Sequence, residues 1–220
     1  MSKLRLLFAK EGTAAYLSHL DTMRTFQRVF PRAALHLKHS NGFHPHPIIS
    51  IVLPLPVGQE SVCEILDFET VEESDGAGVA EKLNSGLPDG LRVLDCHPMT
   101  RPAREFAYLR TRVELVYDAG VPIGAVERIG ELLGRDELLI EKRTKHKDLA
   151  TVNVAPLLHS FAVECGGEGL VLDIIAAAQN PGLNPAYLAQ AIERELPGDA
   201  PDFVRVRRLE TLDAELEVFR

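Results

Sequence analysis

The order of hydrophobic periods along this chain restricts the folds open to it, because the same order of strand-like and helix-like patterns occurs twice. Leu4, Leu6 and Phe8 alternate with Arg5 and Leu7, the period of a strand, up to Lys10-Glu11-Gly12. Ser18-His19-Leu20-Asp21 has the form of a capping box with Asp in place of the longer Glu, so a helix is predicted to start there. Its apolar stripe is read as Leu20, Met23, Phe26 or Gln27, and Phe30, and Pro31 is expected to end or kink it. Residues 34–38 read as a short strand, 48–55 as a central strand apolar on both faces, and 62–69 as a further strand. A helix over 76–83 and a strand over 91–96 complete the first set. After the polar, proline-containing stretch 98–104 come strands over 106–117, 138–142, about 152–163, 170–175 and 203–209, with helices over 123–133 and 185–196. The expected fold is therefore α+β, two tandem ferredoxin-like halves of βαββαβ type with antiparallel sheets, residues 1–100 and 101–220.

No apolar run approaches the roughly 18 residues a membrane helix needs, so no membrane contact is expected. Met1-Ser2-Lys3-Leu4-Arg5 leads into a strand rather than a signal peptide, and a cytoplasmic location is expected. The three cysteines, Cys63, Cys96 and Cys165, are widely spaced, which argues against a disulfide framework or a zinc ribbon. No cofactor and no metal is expected. A net charge of -8 argues against nucleic acid, yet its distribution reverses that locally. Before Glu60 the only acids are Glu11 and Asp21, against Lys3, Arg5, Lys10, Arg24, Arg28, Arg32 and Lys38.

Ser40-Asn41-Gly42-Phe43-His44-Pro45-His46-Pro47 is the candidate working loop. Each histidine precedes a proline, which pushes it toward extended geometry and stiffens the connection. If His44 and His46 are both extended, their imidazoles share a side, where they could bind an anion, share a metal or move a proton. His19 beside Asp21 reads either as an imidazole oriented by a carboxylate or as helix capping. Arg24 and Arg28 lie four residues apart on one helix face, suited to phosphate, or alternatively to solvent and to the acids from Glu60 onward. The candidate binding set is His19, Asp21, Arg24, Arg28, Ser40, Gly42, Phe43, His44 and His46; no catalytic residue is assigned. Glu64 and Asp67 fall on opposite faces of a regular strand, which disfavours a carboxylate pair.

Strand alternation gives a secondary candidate surface. Phe106, Tyr108, Arg110 and Arg112 share one face of their strand, and Phe203, Arg205 and Arg207 share a face of the last. First and last strands are neighbours in a ferredoxin-like sheet, so the rows are expected to meet as an aromatic and arginine surface of the kind that takes single-stranded RNA. The competing reading has this face packed, with its arginines answering acids.

Leu17-Ser18-His19-Leu20-Asp21 with Arg24, the loop 40–47, Leu53-Pro54-Leu55-Pro56-Val57-Gly58, and Glu64 with Asp67 resemble the bacterial radical-SAM-linked family. That family is a domain of unknown function, fused to or encoded beside a radical SAM protein with a cobalamin-type domain. The resemblance is close over the first 70 residues and loose beyond. Glu141-Lys142-Arg143-Thr144-Lys145 resembles a family block, but His146-Lys147-Asp148 departs from its Lys-Gly continuation. The resemblance implies a radical SAM partner, often in an RNA-processing neighbourhood, and supplies no reaction. Radical SAM chemistry needs close cysteines for an iron–sulfur cluster, and this sequence has none in that spacing. The expected function is an RNA-facing accessory domain presenting tRNA or rRNA to that partner. The alternatives are a His-dependent RNA-processing or RNA-modifying enzyme, and a protein–protein adaptor for the radical SAM subunit.

Overall fold

The computed structural model describes residues 1–143, 149–179 and 181–220. It is an α+β structure that divides into two compact units, residues 1–105 with 218–220, and residues 106–217.

In the first unit the order is β1 (Ser2–Lys10), α1 (His19–Arg32), β2 (Ile49–Ile51), β3 (Glu60–Thr70), α2 (Val79–Asn84) and β4 (Leu91–Pro98). The strands run β4-β1-β3-β2, every neighbour antiparallel. One sheet face carries Leu4, Leu6, Phe8, Leu66 and Phe68, which form a core with Phe26 and Phe30 of α1 and Leu83 of α2. Phe8 meets Phe26 edge-on at 5.0 Å between ring centroids, and Phe30 lies 4.8 Å from Phe68.

Helix α1 starts as the sequence predicts: Ser18 Oγ accepts from Asp21 N–H. Its buried face is Thr22, Phe26, Val29 and Phe30, so Leu20 is not in the stripe; it is 61% exposed in the first turn. Pro31 does not end the helix, which continues to Arg32; a proline in the last turn forgoes only one hydrogen bond. The end is a Schellman arrangement, with Leu35 N–H on the Phe30 carbonyl and Ala34 N–H on that of Pro31. Ala34 takes the left-handed conformation this requires, at φ 54°. That turn is why 34–38 forms no continuous strand and leaves isolated bridges at Leu37 and His39. The strand expected over 48–55 shortens to three residues, since Pro54 and Pro56 cannot donate to a ladder, and β2 pairs with β3 rather than sitting centrally. Helix α2 starts late because Gly76 and Gly78 both have positive φ.

In the second unit the order is β5 (Tyr108–Val116), α3 (Ala125–Leu133), β6 (Leu139–Arg143), β7 (Leu149–Asn153), β8 (Leu158–Gly166), β9 (Gly169–Ala177), α4 (Ala186–Glu195) and β10 (Phe203–Leu212). The strands run β10-β5-β9-β8, again antiparallel, with β6 and β7 as a separate pair. Ile129 and Leu132 of α3 and Leu188 and Ile192 of α4 are buried in a core with Val113, Leu115, Leu172 and Ile174. The expected strand 152–163 divides because Pro156 lacks an N–H and Asn153 turns the corner, its Oδ1 accepting from Leu138 and Ala155 N–H. Residues 144–148, the distal part of the 141–148 block, lie outside the described residues.

Candidate nucleic-acid interface

The loop 40–47 is the tip of an arm. Lys38 N–H bonds the Glu69 carbonyl, Glu69 N–H bonds the Ile48 carbonyl, and Ile48 N–H bonds the Lys38 carbonyl. The chain thus reaches β3, leaves it as a hairpin closed by the His39–Pro47 bridge and Ser40 N–H on the His46 carbonyl, and returns as β2. Within the arm, His46 N–H donates to Ser40 Oγ at 3.2 Å, and the same hydroxyl lies 2.9 Å from His46 Nδ1. Ser40 therefore ties the two sides, while Gly42 supplies a φ of 128°. At the tip Phe43 is 102% exposed, and His44 beside it is exposed.

The cap of α1 carries the next residues. Asp21 takes a hydrogen bond from Ser18 Oγ at 2.7 Å and from Arg24 at 3.3 Å, and these hold its carboxyl below the usual range. No hydrogen bond joins it to His19, whose Nδ1 is buried without a partner, so the structure does not assemble an Asp21–His19 pair. Arg28 is exposed with no hydrogen-bonded or ionic partner among the described residues, so a phosphate would meet a free guanidinium there.

At the foot of the arm a cleft of about 260 Å³ is lined by Lys3, His46, Pro47, Ser50, Asp67, Glu69 and Met99, among others. Register places Lys3 opposite Glu69, and Arg5 and Ser50 on either side of Asp67, all on the sheet face away from the core. Arg5 is fully buried and grips Asp67 through Nε at 2.6 Å and Nη2 at 2.8 Å. Phe219, also fully buried, covers the Arg5 guanidinium at 4.8 Å and receives Arg101 at 5.0 Å. Lys38 bonds Glu69 at 2.8 Å and lowers its pKa. The sequence marks Lys3, Arg5, Lys38, His46 and Asp67 one by one but does not bring them together in a cleft. The signal was present as Lys3-x-Arg5 against Asp67-x-Glu69, two strands of opposite alternating charge.

On the second unit, Arg207 lies opposite Arg112 and Arg205 opposite Glu114 in the β10–β5 register, so these residues of the two rows meet. Their charges are largely answered locally. Arg110 makes a two-pronged pair with Asp173 at 2.9 and 2.7 Å, and Arg205 lies 3.2 Å from Glu168 and 3.8 Å from Glu114. Phe106 is 3% exposed and cannot belong to a stacking surface. It precedes β5, so strand alternation does not govern it. Tyr108 meets the His159 ring at a tilt, 5.2 Å between centroids, Phe203 is 57% exposed, and Arg112 is exposed with no partner among the described residues.

Among the described residues no three His, Cys, Asp or Glu side chains gather as a metal site, and no helix is long and apolar enough to cross a membrane.

Antiparallel sheets with helices packed on them, and an arm thrown out from one strand edge, define the class as an α+β protein. Residues 3–185 match the bacterial family described as "Uncharacterized protein conserved in bacteria" (DUF2344), and the chain belongs to that family. No curated protein matches it. Among solved structures, a chain of the "Crystal Structure of a Cbf5-Nop10-Gar1 Complex" is similar, at 11% identity and a TM-score of 0.50. The match covers 95% of this chain and 48% of that one, so the protein spans about half of that chain's length. At this identity the likeness concerns the fold alone.

Proposed function

We propose that the protein is an RNA-facing accessory component that presents a tRNA or rRNA segment to a radical SAM partner, and that the partner carries the radical chemistry. The observation that carries this reading is Phe43, an aromatic ring entirely in solvent at the tip of a braced arm, next to His44. A ring held there contributes nothing to a core, whereas base stacking uses such a platform at about 1–3 kcal/mol per base. Arg28 supplies a cation in the same unit, and Arg24 a second one that it shares with Asp21. The arginines of the second unit support the reading less, because Arg110 and Arg205 already have acidic partners. The radical SAM assignment rests on the motif resemblance. Two ferredoxin-like halves are the finer fold reading, supported by the strand orders β4-β1-β3-β2 and β10-β5-β9-β8. A cytoplasmic location remains part of the proposal.

The test is RNA crosslinking and sequencing from cells expressing the tagged protein, with and without the radical SAM partner. Enrichment of a defined tRNA or rRNA site, crosslinked through peptides around His44, is the expected result. Background-level enrichment with the partner still co-purifying refutes RNA presentation.

That second outcome belongs to the adaptor reading, which has an observation of its own. Gly58 N–H bonds the Ala15 carbonyl and so brings the segment 53–58 to the turn before α1, where Tyr16 (71%), Leu20 (61%) and Val57 (60%) are exposed apolar residues. Changing these three to Ser should then release the partner from the tagged protein.

A further inference from the structure

We infer that the cleft at the foot of the arm holds a single nucleotide whose base carries an exocyclic amino group. The inference rests on the RNA-facing reading and assigns that surface one recognition slot. About 260 Å³ is slightly below the roughly 300 Å³ at which small-molecule pockets begin, which suits one nucleotide unit rather than a longer stretch.

The chemistry of the lining selects the ligand. Arg5 and Lys38, outside the lining, answer Asp67 and Glu69, and Lys3, the mostly exposed cation of the lining, is left to meet a phosphate. His46 Nε2 and Ser50 Oγ line the same cleft without partners among the described residues. Each carboxylate retains acceptor capacity beyond its cation, and a base amino group can use it. Met99, held beside Lys3 by its N–H on the Lys3 carbonyl at 2.9 Å, and Pro47 offer soft apolar surface to the ring.

A second observation points the same way. Arg5 is fully buried, and its Nη1 has no partner. Apolar residues in place of such a pair are often neutral or stabilising, so stability alone gives little reason for it. What it does provide is an Asp67 carboxylate held in place on the cleft's lining.

The test is a titration of the full chain, 15N-labelled, with CMP, UMP and inorganic phosphate, followed by amide shifts. CMP is expected to move Ser50, Glu69 and Met99 saturably. UMP, lacking the amino group, should bind about fivefold more weakly, the loss of one hydrogen bond. Lys3 is mostly exposed, so Lys3→Ala keeps the fold and should weaken both nucleotides; Glu69→Gln should narrow the preference for CMP. Equal shifts from phosphate alone, or none from CMP at millimolar concentration, overturn the inference. RNA crosslinking at the arm without CMP shifts overturns the slot and leaves RNA presentation standing. CMP shifts without RNA enrichment support the slot and refute presentation.

Discussion

Replacing Phe43 by Ala separates binding from folding, because the ring buries no surface. A side chain 102% exposed has nothing to lose on truncation, so unfolding should move by less than about 0.5 kcal/mol. Phe26, fully buried against Phe8, would lose about 3–5 kcal/mol on the same change. If one base stacks on Phe43, Phe43→Ala should weaken a single-stranded oligonucleotide about 5- to 160-fold, from about 1–3 kcal/mol per base. Phe43→Trp should retain the affinity, whereas Phe43→Leu, which keeps apolar area without a π face, should lose most of it. Fluorescence anisotropy with a labelled oligonucleotide at one fixed salt concentration reads the effect, and urea unfolding supplies the stability control. Affinity unchanged in Phe43→Ala with folding intact would refute the stacking argument and leave the exposed ring unexplained by RNA.

Three further outcomes follow from local geometry. Ala34→Gly should stabilise the first unit by up to about 1 kcal/mol in urea unfolding, since left-handed backbone costs alanine more than the entropy glycine adds to the unfolded chain. Asp199 is held below the ordinary carboxylate range by the Arg128 hydrogen bonds, so its contribution is present above the unfolded value of 3.8 and lost as pH falls through the folded one; Arg128→Met should flatten the loss of stability on acidification. Burial and the nearby Asp95 and Asp75 push the Cys96 thiol up to about 12, so iodoacetamide at neutral pH should label exposed Cys165 and leave Cys96 unmodified in the folded protein.

Which parts of this structure could be read in advance follows from how local their causes are. Ser18 caps α1 through contacts three residues away, and the alternation of Leu4, Leu6 and Phe8 is a property of one strand. Both are visible in a short window. Leu20 fits the helical period but not the buried face, because that face depends on where the sheet lies, and Thr22 and Val29 occupy it instead. No local signal marks an alanine for positive φ, and at Ala34 the Schellman bonds to Phe30 and Pro31 impose it. The arm was legible as a stiff loop but not as a projection, since that depends on Lys38 and Ile48 both finding Glu69. Phe219 lies more than 200 residues from Arg5, and no pattern joins them.

The way the arm is attached bears on what its residues are for. An exposed strand edge invites unwanted pairing, and folds usually cover it. Here Leu37 covers β3 at Thr70 and β2 covers it from Leu66 to Phe68, so residues 40–46 can leave and return while this part of the edge stays paired. The hydrogen bonds at Glu69 close the stem below the tip and do not depend on what the tip contains. Stability therefore gives no reason for an aromatic at 43 or a histidine at 44. Ser40, Gly42 and His46 have conformational work to do, whereas Phe43 and His44 have only solvent, or a ligand, to meet. Function is thus sought at those two positions, and the arm can be rewritten there without disturbing the sheet that carries it.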